Sequence, residues 1–275
     1  MADWKPSLLQ QCGAEFIGTF TLVFFGTGAV FVAVLTGALE GLIQVGMVWG
    51  LAIALSIYAT SAISGTHINP AVTLAMVALR DFPKAKVIPF VFSQLLGAVM
   101  ASCVLFFLFG DFLTDFEMTK GIERGKPGSE LSAMVFGEYF PNPAIGGVLE
   151  TDHAKVGVIQ AMLAEGIGTA FLVFFVFALT EPRNHHRPDG TLYALFIGLT
   201  ITILIAVIAP ITQAGFNPAR DFGPRLVAFF SGWGSVAIPG PRGGFFTVYI
   251  LSPLVGGLLG GTIYEKVIRP ALPDA

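Results

Sequence analysis

The chain has 275 residues, of which 54% are hydrophobic and only 12% are charged, and its formal net charge is −3. Soluble domains carry roughly 25% charged residues, so this composition excludes an ordinary soluble domain and predicts a protein that crosses the membrane several times. No dense run of Lys or Arg is present, and we therefore expect no binding to nucleic acid.

Apolar runs along the chain predict the membrane-spanning elements. A helix needs about 20 apolar residues to cross the hydrocarbon core. Runs of this kind lie at about 10–35, 42–63, 87–109, 157–179, 193–211 and 245–267. Two shorter runs, 69–79 and 217–230, are long enough to cross only half of the core. The first run has no small-residue cleavage site behind it, which favours a retained span over a signal peptide.

The basic residues predict the orientation of these spans. They follow the first half-span, the fourth span and the sixth span, at Arg80, Lys84, Lys86, Arg183, Arg187, Lys266 and Arg269. The short 36–41 loop contains neither Lys nor Arg. We therefore expect a protein of the cell (plasma or inner) membrane. By the positive-inside rule, both of its termini lie in the cytoplasm and the long 110–156 segment lies outside.

The chain also repeats itself. AEFIGTF at 14–20 recurs as AEGIGTA at 164–170, and a Gly-Leu pair precedes Asn69 and Asn217 by 19 residues each. Each half carries three full spans and one half-span, so the second half must enter the membrane from the opposite side. We predict one all-α transmembrane channel domain over 1–275, with repeat 1 at about 8–110, an outer loop at about 111–156 and inverted repeat 2 at about 157–268.

Each half-span begins at an Asn-Pro-Ala triplet, within HINPAV at 67–72 and GFNPARD at 215–221. Asn is a preferred N-cap and Pro is favoured at the first helical position, so Asn69 and Asn217 predict two helix N-termini that meet near mid-membrane. The chain before each Asn is then non-helical, and such backbone is tolerated in a bilayer only where it lines protein or water. We therefore predict a water-filled pore, with both Asn at its centre and lined by the carbonyls of about 64–67 and 213–216, including those of Gly65, Thr66, His67, Gly215 and Phe216.

The two helix N-termini would direct roughly half an elementary positive charge each at the pore centre. A cation or an excess proton is repelled there, whereas a neutral dipole is not. The sequence thus favours conduction of uncharged molecules.

These motifs resemble those of the aquaporin-type major intrinsic proteins, and in particular their glycerol-facilitator branch. The resemblance covers about residues 10–268 and rests on SGTHINPAVT at 64–73, GFNPARDFGPR at 215–225, the AEFIGTF start, DFEMTKGIERG at 115–125 and FPNP at 140–143. It implies six transmembrane helices and two re-entrant half-helices, assembled as a homotetramer in the lipid bilayer. It also implies passive conduction of water and small neutral solutes such as glycerol, without a cofactor.

The resemblance assigns four residues to the narrowest part of the pore. Arg220 would donate hydrogen bonds to a passing hydroxyl and repel cations, although a structural ion pair with Asp221 or a glutamate is the alternative. Trp49 would pack against the carbon side of a polyol, unless it is an interfacial anchor. Ile205 and Ala214 match positions that glycerol facilitators fill with Gly and Phe. This departure predicts a filter that is apolar on most sides and weakens the case for a slot optimised for glycerol.

Three further polar residues lie in the apolar segments. His67 is either a pore-facing group or a satisfied structural histidine, and without a second ligand nearby it predicts no metal site. Glu15 and Glu165 occupy equivalent positions in the repeat. By the resemblance they accept hydrogen bonds from the backbone before each Asn-Pro-Ala triplet, whereas proton coupling is the alternative.

Several other functions stay open at this stage. Within the channel class, the altered filter is compatible with a protonated small hydroxy- or carboxylic acid, or with water as the main permeant. A secondary active transporter is a different class that also uses inverted repeats. The spans carry no Ser/His/Asp, HExxH or paired-carboxylate signature of an enzyme.

Overall fold

The computed structural model describes residues 5–273, and this part of the chain folds into helices without a β-strand. The eight membrane helices are α1 Leu8–Thr36, α2 Leu42–Ser64, α3 Pro70–Leu79, α4 Val87–Leu108, α5 Val158–Thr180, α6 Tyr193–Thr212, α7 Pro218–Ala228 and α8 Phe245–Ala271. Within the described residues, six of them are long and apolar enough to cross a membrane. The six predicted spans and both half-spans are confirmed, and the ends of the predicted domain, residues 1–4 and 274–275, lie outside the described residues.

The two half-helices, α3 and α7, start as the Asn-Pro-Ala triplets predict. The side chain of Asn69 accepts a hydrogen bond from the N–H of Ala71, and that of Asn217 accepts one from Ala219. Pro occupies the first helical position in both. Helices of 10 and 11 residues at 1.5 Å per residue are about 15 Å long, which is half of the hydrocarbon core.

Helices α2 and α6 bring the two halves of the chain together. They cross where Gly50 faces Gly198, and a methyl group on either glycine would overlap the backbone carbonyl of the other. These are the glycines of the repeated Gly-Leu pair. Packing of α1 against α2 and α4 in the first half corresponds to packing of α5 against α6 and α8 in the second, as an inverted repeat requires.

The outward faces of the long helices are apolar. Large exposed hydrophobic side chains occur along all six, among them Phe25, Leu51, Phe107, Phe171, Ile203 and Leu259. In water such a surface would drive aggregation. In a bilayer it is the surface that lipid or another membrane helix covers, so the chain is a multi-pass membrane protein.

The long segment between α4 and α5 has helical structure of its own. It contains helices at Gly110–Lys120, Glu130–Ala133 and Pro143–Gly146 and a 3-10 turn at Asp152–Lys155. Further short helical turns lie at Lys84–Lys86, before α4, and at Phe229–Trp233 and Gly234–Val236, after α7. The segment is anchored to the chain after α7, because the indole N–H of Trp233 donates to Ser132 Oγ (3.1 Å) and the Tyr139 hydroxyl donates to the Val236 carbonyl (2.9 Å). This packing brings residues 134–139 next to α7.

Candidate functional site

The two Asn-Pro-Ala triplets meet and hold each other at the centre of the molecule. Asn69 Nδ2 donates to the carbonyl of Phe216 (2.9 Å), and Asn217 Nδ2 donates to the carbonyl of Ile68 (2.8 Å). Each Asn oxygen caps its own half-helix, so the orientation of both amides is fixed. An amide nitrogen carries two hydrogens, which leaves one N–H on each Asn for the cavity that both residues line.

The backbone before each half-helix is held by a buried glutamate. Glu15 accepts from the N–H groups of His67 (2.8 Å) and Ile68 (2.7 Å). Glu165 accepts from those of Gly215 (3.0 Å) and Phe216 (2.7 Å). These bonds confirm the scaffold role that the resemblance implied for the two glutamates.

This backbone has an unusual conformation. Thr66 and Ile68 in the first segment, and Ala214 and Phe216 in the second, have positive φ angles between 45° and 65°. Their N–H groups are taken up by the glutamates and neighbouring hydroxyls. Among the described residues, no hydrogen-bond donor reaches the carbonyls of 65–67 or 213–215. These carbonyls are free to accept hydrogen bonds from a molecule in the cavity.

The repeated glycines of the AExIGT segments make room for these loops. A methyl group on Gly18 would lie 2.7 Å from Ile68 Cγ2, and one on Gly168 would overlap the ring of Phe216. Ile68 and Phe216 are the residues that directly precede the two Asn. The AExIGT repeat therefore supplies both the acceptor for each loop and the space into which the loop packs.

An inner cavity runs along the two loops. One side is formed by residues 65–69 and 214–217, with Asn69 and Asn217 at the middle. The rest of the lining is mostly apolar, with Leu22, Ile53, Ile57, Val72, Leu172, Val176, Ile197 and Ile201, and it also includes Thr180 and Tyr193. The cavity thus has a polar strip of carbonyls and amides facing a hydrocarbon wall.

The four predicted filter residues lie together at one end of this cavity. Trp49, Ile205, Ala214 and Arg220 all line it. All except Ala214 also line a wider outer vestibule, which Lys120, Asn142 and other residues of the outer loop border. Trp49, Ile205 and Arg220 therefore border both spaces and Ala214 borders the inner one, and the role of the four residues as a selectivity filter stays a prediction.

The guanidinium of Arg220 is held from three sides. Its Cζ lies 4.3 Å from the centroid of the Trp49 ring. Its NH1 lies 2.6 Å from Glu138 Oε1 and donates to the carbonyl of Phe136 (3.3 Å). Arg220 therefore lines the cavity and also forms the buried ion pair with a glutamate that the sequence offered as the alternative, and its role in the filter stays a prediction.

Glu138 connects Arg220 to a second buried ion pair. The Glu138 N–H donates to Asp221 Oδ1 (2.7 Å), and Asp221 Oδ2 pairs with Arg225 Nε (2.6 Å). Arg225 in turn donates to the Glu138 carbonyl. Burial raises the pKa of the Glu138 carboxyl, and the Arg220 guanidinium opposes that rise. Asp221 thus holds the outer loop through the N–H of Glu138, and among the described residues its ion pair is with Arg225 and not with Arg220.

His67 is both satisfied and exposed to the cavity. Its ring packs against Phe82 and Phe90, with centroids 4.6 and 5.4 Å away, and its Nδ1 lies 3.2 Å from Thr73 Oγ1. The residue is also among those that line the inner cavity. The structure therefore combines the two alternatives that the sequence left open.

Comparison with known proteins assigns the family. A family profile described as "Major intrinsic protein" matches residues 3–264. The chain belongs to the major intrinsic protein family. This result confirms the resemblance drawn from the Asn-Pro-Ala motifs, and with it the aquaporin-like fold.

Relatives in this family carry two kinds of name. The glycerol uptake facilitator proteins of Shigella flexneri and of Escherichia coli (strain K12) are each 41% identical over 268 residues, which is 97% of this chain and 91% of theirs. The propanediol uptake facilitator PduF of Salmonella typhimurium is 38% identical over 270 residues, or 98% of this chain and 97% of its own. The fold is similar to that of the aquaglyceroporin from Plasmodium falciparum, with a TM-score of 0.81, 23% identity and coverage of 96% of this chain and 98% of that one.

The sequence did not predict a role for Glu138 or for the side chain of Gln213, although the backbone of 213–216 was among the predicted carbonyls. Glu138 is the counterion of Arg220, and Gln213 borders the outer vestibule beside the filter. Both lie in polar or irregular segments without periodicity. A pairing between residues 82 positions apart leaves no local pattern in the sequence.

Proposed function

We propose that this protein is a passive channel that conducts water and small uncharged solutes such as glycerol and excludes ions and protons. One observation carries the proposal, namely the cavity in which two half-helix N-termini meet at Asn69 and Asn217. A preformed cavity with a line of free acceptors allows a neutral molecule to exchange its hydration for protein carbonyls.

The mechanism follows from the two faces of the cavity. Hydroxyl groups of a solute donate to the free carbonyls of 65–67 and 213–215, and the amides of Asn69 and Asn217 donate to its oxygen at the centre. The carbon side of the solute lies against the apolar wall. A cation gains no compensation at the centre, because it faces two amide donors and the positive ends of α3 and α7.

The filter favours solutes that combine hydroxyl groups with exposed hydrocarbon. Arg220 is a strong donor at the constriction, while Trp49, Ile205 and Ala214 offer apolar surface. Relatives are named for glycerol and for propanediol. We therefore propose small diols and triols as the main solutes of this channel, with a protonated small hydroxy acid or water alone as the alternatives.

One experiment separates these possibilities. The protein is reconstituted into liposomes, and stopped-flow light scattering is recorded under separate gradients of water, glycerol, propanediol and protonated lactic acid. We expect swelling with both polyols above that of empty liposomes. Water flux without polyol flux would contradict the proposed solute class, and uptake of lactic acid alone would favour the acid alternative.

The same preparation distinguishes a channel from a secondary active transporter. The two intramembrane carboxylates of the repeat, Glu15 and Glu165, are occupied by backbone and hydroxyl donors, which favours a fixed scaffold over a proton carrier. We expect the glycerol flux to rise linearly with the gradient and to ignore proton and sodium gradients. Saturation or coupling would favour the transporter.

We further propose a homotetramer in the cell membrane, with one pore per subunit, both termini in the cytoplasm and one channel domain over 1–275. An apolar groove between α5 and α6, lined by Phe171, Phe175, Ile203 and Val207 among others, offers a surface for a neighbouring copy. Native mass spectrometry in detergent gives the number of subunits. Cysteine labelling near each terminus in sealed cells gives its side of the membrane.

A further inference from the structure

Gln213 occupies an unusual backbone position next to the filter. It directly follows α6 and precedes Ala214, and its φ of 67° lies in the left-handed region. Its N–H donates to the Ala209 carbonyl (2.9 Å) and so closes the helix. Glycine is the usual residue at such a helix end, because a Cβ is unfavourable there. A glutamine at this position points to a use for its side chain.

That side chain binds the outer loop at two places. The Tyr139 N–H donates to Gln213 Oε1 (2.8 Å), and Gln213 Nε2 donates to the Met134 carbonyl (3.2 Å). One amide thus satisfies a donor and an acceptor at the two ends of segment 134–139. Both contacts are to backbone groups, so they fix the path of this segment whatever side chains it carries.

Segment 134–139 contains the two groups that bind the Arg220 side chain among the described residues. They are the carbonyl of Phe136 (3.3 Å) and the carboxylate of Glu138 (2.6 Å), and both lie between the two residues that Gln213 holds. The position of the Arg220 guanidinium over the Trp49 ring therefore depends on a segment whose ends are attached to Gln213.

We propose that Gln213 is a positioning residue of the filter, which holds segment 134–139 so that Arg220 stays directed into the constriction. The consequence for solute discrimination rests on the proposed channel function. Gln213 itself borders the outer vestibule together with Trp49, Ile205 and Arg220, but its amide acts through the loop.

The first test is Gln213→Gly, which removes both side-chain bonds and relieves the left-handed backbone. A displaced Arg220 no longer meets the solute hydroxyl, so the ratio of glycerol to water permeability should fall about 3- to 10-fold, the effect of one misplaced hydrogen bond. Gln213→Glu keeps the acceptor for the Tyr139 N–H and loses the donor to Met134, and an intermediate ratio is expected. Gln44→Ala is the control, since Gln44 is exposed and its amide oxygen binds only the N–H of Glu40 among the described residues.

The second test separates positioning from general loosening of the structure. In an Arg220→Val background, Gln213→Gly should leave the permeability ratio unchanged, because the residue through which Gln213 acts is gone. An equal fall in both backgrounds would overturn the proposal, and so would an unchanged ratio in folded Gln213→Gly. Should Gln213→Gly not fold, Gln213→Glu takes its place in the same cycle.

These outcomes are distinct from failure of the proposed function. A wild-type protein without glycerol flux contradicts the proposed solute class and leaves the cycle readable. The ratio is then replaced by the ion leak that Arg220→Val changes, and Gln213→Gly should raise that leak in the wild-type background alone.

Discussion

At the scale of single residues, the charge at the constriction and its counterion must be considered together. The sequence left two interpretations of Arg220 open, namely a donor in the filter or one member of an ion pair with Asp221 or a glutamate. The structure pairs it with Glu138, whose side chain is fully buried. The net charge of the pair is near zero, so we attribute discrimination against cations to the fixed N–H donors of Arg220 and to the two half-helix N-termini, more than to a net field of the arginine.

The ion pair with Glu138 determines how a substitution of Arg220 affects stability and selectivity. Arg220→Val leaves the Glu138 carboxyl buried without a partner, and breaking such a pair costs about 3–5 kcal/mol. Burial favours the protonated form of this carboxyl, and the fraction that stays ionised places negative charge beside the constriction. We predict a lower Tm, a raised cation and proton leak, and water flux that is largely kept. The measurements are thermal unfolding in detergent and leak assays in liposomes.

The matched control is the double variant Arg220→Val with Glu138→Gln, which removes both charges. It should recover most of the lost Tm and show less cation leak than Arg220→Val alone. If the double and the single variant leak cations equally, the Glu138 charge has no influence on the lumen.

We predict that the sizes of Ile205 and Ala214 determine the free cross-section beside Trp49 and Arg220. Both residues line the inner cavity. By the resemblance, the sec-butyl group of Ile205 stands where glycerol facilitators have a Gly, and the methyl group of Ala214 stands where they have a Phe. Ile205→Gly should widen the passage and raise polyol flux more than water flux. Ala214→Phe should narrow it and reduce polyol flux first, because a desolvated hydroxyl without a partner costs about 1–3 kcal/mol, a tenfold or larger rate effect.

The two substitutions need separate stability checks. Ala214 has a φ of 65°, where a bulky residue is strained, and glycine within α6 weakens the helix by about 1 kcal/mol. Ile205→Ala is the milder version of the widening substitution, and Ala214→Leu is the milder version of the narrowing one. Equal effects on water and glycerol in both folded variants would place the filter elsewhere.

Residues of the site were predictable from the sequence to different degrees. Asn69 and Asn217 could be predicted, because the N-capping preference of Asn-Pro and the internal repeat both indicate them. The side chains of Glu138 and Gln213 could not be predicted, since the role of each depends on contact between the outer loop and the second half of the chain. Gln213 stands where the first repeat has Gly65, so the repeat gives no indication of a use for a glutamine side chain.

At the scale of elements, the helix contacts at glycines are of two kinds, one against a side chain and one against a backbone. A methyl group on Gly168 would meet the side chain of Phe216, whereas one on Gly198 would meet the backbone of Gly50. A side chain can be shortened, but a backbone carbonyl cannot. The two positions should therefore respond differently to a second substitution.

We predict that Gly168→Ala and Gly198→Ala each lower Tm and channel yield, because overpacking of a tight contact typically costs about 1–3 kcal/mol. Combining Gly168→Ala with Phe216→Ala should restore folding. Combining Gly198→Ala with Thr202→Ala, which shortens a neighbouring side chain, should not. The measurement is the fraction of monodisperse protein together with its Tm, and a lack of rescue of Gly168→Ala would show that the Phe216 ring does not set this spacing.

The elements themselves were predictable because the bilayer imposes a length on apolar helices. The predicted half-span at 217–230 is α7 as far as Ala228, and it continues as the wider helical turn Phe229–Trp233, which is broken at Gly232 by a φ of 110°. The helix at Gly110–Lys120 was not predicted. Its sequence, GDFLTDFEMTK, is polar, and hydrophobic length gives no signal for such a helix.

At the scale of the whole molecule, the two halves are joined at the end of α3 as well as at the centre. Arg80 forms ion pairs with Glu181, which follows α5 (3.0 Å), and with Glu265 of α8. Its guanidinium also lies 4.7 Å from the centroid of the Phe177 ring. Arg269 pairs with both glutamates as well. This cluster attaches the first half-helix to the second half of the chain.

Removal of Arg80 should therefore weaken the attachment of the two halves without closing the pore.

The pKa of the Glu181 carboxyl bears on this contact. Burial raises that pKa, but the N–H of Arg183 and the guanidinium groups of Arg80 and Arg269 lower it by more, so the net shift is downward. A carboxyl whose pKa is lowered by folding adds stability above its unfolded pKa of about 4.3 and loses that stability as the pH falls through the folded value. We predict that Arg80→Ala lowers the free energy of unfolding by about 1–3 kcal/mol at neutral pH and by less below about pH 4, with water flux per folded channel unchanged. Lys84→Ala is the control, because Lys84 is exposed and has no ion pair among the described residues. Equal Tm values for the two variants at pH 7 would contradict the role of Arg80 in joining the two halves of the chain.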